Sequence, residues 1–214
     1  MKTPEHPIFL ESVNYIRSKI GITGLDEVQQ SILERIIHSS GDFGLQSCLK
    51  FSPTACKDAI EALKNGATIL TDTNMAAAAI SPMSKRTLNS TIECILGMAP
   101  ASTSIDTTLT TRSEIGIKNK WLDFEAKDTI NESNAPLVII GSSPTALISL
   151  LDLVEAGYKT PSLIIGMPVG FIGVNESKAR LLNSDCSYIV LEGSKGGASL
   201  AAAATNALLR AAEN

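Results

Sequence analysis

Apolar positions along the chain follow two rhythms. In roughly the first third they recur at helical spacing. Residues 8–20 form one such stretch. From Asp26 onward, Val28, Ile32, Leu33, Ile36 and Ile37 share one face of a helix expected to end near Gly41. Asp26 followed by Gln29 has the form of a capping box at the start of that second helix. A third helix fits residues 53–64, with Asn65-Gly66 as its stop. Beyond this point short apolar runs of strand length appear at residues 67–71, 91–96, 137–140, 163–165 and 188–191, mostly separated by stretches able to form a helix. Such alternation predicts an α/β fold: a three-layer α/β/α sandwich with a mostly parallel central sheet of about five strands. No internal repeat or charge block interrupts it. The polar stretch 121–134 fits a helix and a surface loop as well as a linker, so residues 1–214 are expected to form one domain.

The last three runs share a further pattern. Residues 137–140 lead into Gly141-Ser142-Ser143-Pro144, where Ser143 suits an N-cap and Pro144 the first helical position. Residues 163–165 lead into a glycine-rich loop, 166–173, with a helix from about Asn175; residues 188–191 lead into Gly193-Ser194-Lys195-Gly196-Gly197 and an alanine-rich helix, 198–212. In a parallel sheet these three loops share the carboxyl rim, where ligands of open α/β sheets sit. Each helix N-terminus there is a candidate site for a carboxylate or phosphate, although short β–α turns call for glycine in any case.

Composition narrows the chemistry. The chain carries 18 Lys and Arg against 22 Asp and Glu, a net charge of −4, so nucleic acid is not an expected partner. Four cysteines lie without C-x-x-C spacing and there are two histidines, His6 and His38, so no protein-bound metal is expected. The most apolar stretch, 137–154, is broken by Gly141, Pro144 and Asp152 and does not read as a membrane span. With no apolar signal segment at the start, a cytoplasmic protein with free thiols is expected. No Gly-x-Ser-x-Gly, Walker A or early Gly-x-Gly-x-x-Gly motif is present, which argues against a serine hydrolase, a kinase and a nucleotide-dependent dehydrogenase.

Four residues remain as candidates for chemistry or anion binding. His38 lies in the last turn of its helix, off the apolar stripe and one turn from Glu34; the helix dipole and that carboxylate would both favour an imidazolium able to act as a general acid. The same position equally suits a C-terminal capping histidine. Arg112, set among Thr110, Thr111 and Ser113, is suited to clamping a carboxylate, with Arg17 and Arg86 as further candidates.

Taken together, these segments resemble the precorrin-8X (cobalt-precorrin-8) methylmutase family of corrin-ring biosynthesis. The resemblance runs from Pro7 to Leu209. It includes Ile8-Phe9-Leu10-Glu11-Ser12, Arg35-Ile36-Ile37-His38-Ser39-Ser40-Gly41, Gly66-Ala67-Thr68-Ile69-Leu70-Thr71-Asp72 with Met75, and Thr111-Arg112-Ser113. Its most specific parts are residues 140–147, residues 165–173 with Glu176-Ser177-Lys178, and Gly196-Gly197. The chain departs from the family pattern at Val13, Ala79, Ser194-Lys195 and Ala198.

The resemblance implies an isomerase that moves a methyl group from C11 to C12 of the macrocycle by a 1,5-sigmatropic shift, with His38 as proton donor. It implies no cofactor, any cobalt being carried by the corrinoid substrate, and a homodimer without membrane attachment. Substrate contacts are implied at Ser12, Arg17, Gly41, Asp72, Met75, Arg112, Ser113, Ser143, Thr145, Val169, Gly170, Phe171, Gly196 and Gly197. A non-catalytic corrinoid carrier is the alternative, which the presence of His38 disfavours.

Overall fold

A computed structural model describes residues 6–100, 110–127 and 133–213. The chain opens with three helices, α1 (Pro7–Ile20), α2 (Glu27–Ser40) and the short α3 (Leu45–Cys48), followed by β1 (Leu49–Phe51) and α4 (Ala55–Lys64). Then come β2 (Ile69–Thr71), α5 (Asn74–Arg86), β3 (Ile92–Cys94) with a 3-10 turn over Ile95–Met98, and α6 (Arg112–Lys127). Three strand–helix units finish it: β4 (Leu137–Ile140) with α7 (Pro144–Glu155), β5 (Leu163–Gly166) with α8 (Val174–Leu182), and β6 (Tyr188–Leu191) with α9 (Ala198–Ala212).

The six strands form one sheet in the order β1-β6-β5-β4-β2-β3. All neighbours are parallel except β1, which pairs antiparallel with β6, Leu49 opposite Leu191. Alternate residues serve opposite layers. Ile69, Leu137, Ile139, Leu163, Ile165, Ile189 and Leu191 pack with α2, α4, α5 and α9, whereas Leu70, Val138, Ile140, Ile164 and Val190 pack with α6, α7 and α8. Because both faces are covered, β4 and β5 are buried along their whole length, which is why they read as unbroken apolar runs.

Most expected elements are present, with differences that have local causes. β1 has no signature in the sequence: three residues carry too little pattern, and their partner strand lies about 140 residues downstream. The run 91–96 yields only a three-residue strand, because the chain turns at Ile95, whose carbonyl is pressed by Gly116 of α6. In the stretch 121–134, helix α6 continues to Lys127 and Trp121 is fully buried, its indole N–H donating to the Lys159 carbonyl at 3.0 Å. Residues 128–132 lie outside the described residues.

The predicted caps form. Asp26 accepts from the Val28 and Gln29 amides while the Gln29 side chain returns to the Asp26 amide, and Ser143 caps α7 with Pro144 at its first position. His6 caps α1, its Nδ1 accepting from the Ile8 amide.

Candidate active site

Strands β2, β4, β5 and β6 run in one direction, so the loops after them meet on one rim. The first link is Asp72, at the end of β2 beside β4. Its Oδ2 accepts from the amides of Gly141 (3.1 Å), Ser142 (2.6 Å) and Ser143 (2.9 Å), and the side chain is buried. The anion site expected at the N-terminus of α7 is therefore filled from within. Asp72 is thus a fastener of the β4–α7 loop, inaccessible to a ligand in this arrangement. Burial pushes its carboxyl above the usual range, and the three amides act in the opposite sense.

Beside it, four hydroxyls join the starts of α6 and α7. Ser113 lies 2.7 Å from Ser143, Thr145 lies 3.0 Å from Ser143, and Thr111 lies 2.7 Å from Thr145. Arg112, the first residue of α6, is exposed next to this cluster. The structure thus gathers Arg112, Ser113, Ser143 and Thr145. Arg86 does not join them: it ends α5, whose first turn, with Met75, is the part at the rim, and its guanidinium folds back on the Pro82 carbonyl.

The two remaining loops are tied to each other. The Gly197 amide donates to the Met167 carbonyl at 2.9 Å and the Gly170 amide to the Ser194 carbonyl at 3.1 Å. Gly196 is packed so closely on the Met167 carbonyl that a Cβ has no room there. Gly173 and Gly197, at positive φ, precede α8 and α9, and neither helix has a side-chain cap. From beneath, the ammonium of Lys178 donates to the carbonyls of Gly193 (2.7 Å) and Lys195 (2.8 Å). Burial pushes its pKa down to about 8. Nothing in the local sequence distinguishes Lys178 from a surface lysine.

His38 reaches the same end of the molecule. Asp42, just past the left-handed cap Gly41, pairs with Lys195 at 2.5 Å and so joins the C-terminus of α2 to the β6–α9 loop. The Lys195 hydrogen bond, with that from the Gly44 amide, holds the Asp42 carboxyl below its usual range. The His38 ring is exposed, with Phe9 of α1 standing edge-on at 5.0 Å. It lines a groove of about 420 Å³ between α1 and α2 that also contains Ile8, Ser12, Tyr15, Gly41 and Phe43.

The carboxylate one turn before His38, expected to favour its imidazolium, has other partners. Glu34 is bound bidentately by Arg17, at 2.7 and 3.1 Å, and also accepts from Gln30, so its charge is committed to joining α1 and α2. Arg17 likewise serves that joint, with its guanidinium engaged on Glu34.

Apolar side chains stand out along the rim: Met75, Val169, Phe171 and Ile172 are exposed, the last two to about 90% (88% and 90%). Ile172 was not singled out from the sequence. A larger cavity, about 640 Å³, lies at the opposite end of α2 against α4, around Asp26, Cys56 and Lys64. Burial pushes the Cys56 thiol there up to about 12, which leaves it unreactive as a nucleophile. Among the described residues no cluster of His, Cys, Asp and Glu is placed to hold a metal, and no helix is long and apolar enough to cross a membrane.

Residues 7–211 match the family described as precorrin-8X methylmutase. The chain is 36% identical to the cobalt-precorrin-8 methylmutase of Synechocystis sp., covering 96% of this chain and 95% of that protein. It is 33% identical to the precorrin-8X methylmutase of Pseudomonas aeruginosa, over 94% and 93% of the two chains. A solved structure of the precorrin-8X methylmutase of Thermus thermophilus superposes with a TM-score of 0.82 at 30% identity, covering 96% of this chain and 95% of the other.

Proposed function

The chain belongs to the precorrin-8X methylmutase family, isomerases of cobalamin biosynthesis, and on that premise we propose that His38 delivers the proton that drives its methyl shift. The observation that carries this reading is an exposed imidazole in an apolar groove, on the same rim as the glycine loops. In the reaction the bond from C11 to the methyl group breaks and the bond to C12 forms within one molecule. A proton on a ring nitrogen makes the conjugated system electron-poor enough for the methyl to migrate, and it is returned afterwards. Such a step needs an acid and a pocket that holds the ring, and it needs no nucleophile.

The rim suits a flat ring fringed with carboxylates. Arg112 with the hydroxyls of Ser113 and Thr145, and the uncapped starts of α8 and α9, are donors for the edge; Met75, Val169 and Phe171 offer apolar contact to the faces. The reading includes a cytoplasmic homodimer that uses no cofactor, with any cobalt brought by the substrate.

Replacing His38 with Ala tests it. The expected result is a single-turnover rate lower by about 10²–10⁴, with the dissociation constant of the corrin product within about threefold of wild type. A capping histidine predicts the reverse, a stability loss of about 1 kcal/mol at an unchanged rate. A near-wild-type rate for His38→Ala overturns the assignment, and a wild type that binds product without turning over substrate makes the protein a corrinoid carrier.

A further inference from the structure

Lys178 is only 1% exposed, and both acceptors of its ammonium are backbone carbonyls. Lys120, also buried, shows the usual solution: its ammonium reaches the Glu93 carboxylate at 2.7 Å. A charge taken from water without a counter-ion opposes folding, so Lys178 is poorly explained as a stabilising contact. What it does provide is direction. In a trans peptide the carbonyl and the following amide point opposite ways, and no cis peptide is present among the described residues.

Drawing the Gly193 and Lys195 carbonyls inward therefore turns the Ser194 and Gly196 amides away from Lys178. Neither amide donates a hydrogen bond to any described residue. They alternate along the loop before α9, an i, i+2 placement of backbone N–H groups of the kind that receives anions. Gly196, pressed on the Met167 carbonyl, holds the loop from the other side. The Lys195 side chain is not the donor here, being held at Asp42.

We infer that Lys178 is a positioning residue for substrate binding: its buried ammonium holds the β6–α9 loop so that the Ser194 and Gly196 amides face a carboxylate of the macrocycle. The inference rests on the reading that the ring's carboxylate edge docks at this rim. It is independent of which group supplies the proton.

The experiment uses Lys178→Met and Lys178→Arg, with hydrogenobyrinate, the metal-free corrin product of the methyl shift, as the probe for binding and single turnover as the measure of chemistry. The expected result for Lys178→Met is a product dissociation constant and a KM raised about tenfold, with the saturated single-turnover rate within about threefold of wild type, and partial recovery of binding in Lys178→Arg. A folded Lys178→Met that binds product as tightly as wild type overturns the inference, even if its melting temperature has fallen.

Amide exchange on the wild type gives a second reading that needs no variant: product should protect the Ser194 and Gly196 amides, and unchanged exchange at both overturns the inference. Failure of the His38 assignment, read as a near-wild-type rate for His38→Ala, leaves these binding readouts in place. A wild type that does not bind hydrogenobyrinate overturns the site reading and this inference with it.

Discussion

Two buried charges act on loops at the rim, and they do so in opposite ways. Asp72 gathers three amides of one loop and removes an anion site, whereas Lys178 gathers two carbonyls of another and leaves amides facing out. Lys178 also has a consequence for stability. Its folded pKa, about 8, lies below its ordinary 10.5, so between those values the unfolded chain binds more protons and stability rises with pH. The slope is at most about 1.4 kcal/mol per pH unit. Cys56, pushed from 9.0 to about 12, works in the opposite sense above pH 9. Thermal melts should therefore show a gain from pH 8 to 9, and the same melts on Lys178→Met should lack it. Equal slopes for the two proteins would show that Lys178 stays charged through that window.

At the scale of elements, α2 divides its ends between two tasks. Its N-terminus is closed by the Asp26–Gln29 box and its C-terminus presents His38. Asp26→Ala should cost about 1 kcal/mol in a denaturant melt, since two amides lose their acceptor. The methyl-shift rate should stay at the wild-type value, because Arg17–Glu34 and Asp42–Lys195 hold the helix independently of that cap. A fall in rate matching the fall in stability would show that His38 depends on the whole helix. Helix α9 shows why small residues matter here: Ala201 and Ala204 are fully buried where it packs between α2, α4, α5 and the sheet, and the first of its residues, Ala198, touches Gly141, where a Cβ would lie 2.7 Å from its Cα.

For the molecule as a whole, two groups of exposed apolar side chains among the described residues stand on α1 and on the rim loops. Ile8, Leu10 and Tyr15 lie on one and Val169, Phe171 and Ile172 on the other. With Val169 and Phe171 assigned to the ring and Ile8 and Tyr15 to the His38 groove, Leu10 and Ile172 are left for a subunit interface to cover, in keeping with the proposed homodimer. Sedimentation equilibrium at micromolar concentration should give twice the chain mass, and a single species of chain mass would overturn that part of the reading. The groove at His38, about 420 Å³, is open, so a macrocycle must also rest on residues outside it. The net charge of −4 does not oppose a carboxylate-rich ligand where Arg112 and uncapped helix starts supply local donors.

The sequence by itself determined the layer architecture, the parallel strands β4, β5 and β6, the caps at Asp26 and Ser143, and the reaction class. The first three rest on local period and local hydrogen bonds, written within a few residues of one another, and the reaction class rests on a family resemblance carried by motifs along the chain. Only the tertiary structure decided the antiparallel β1, the capture of the α7 amides by Asp72, the pairing of Glu34 with Arg17, and the burial of Lys178. Each of these joins residues about 15 to 140 positions apart. A charged side chain's role depends on which partner the fold brings within hydrogen-bond range, and neither composition nor periodicity records that distance.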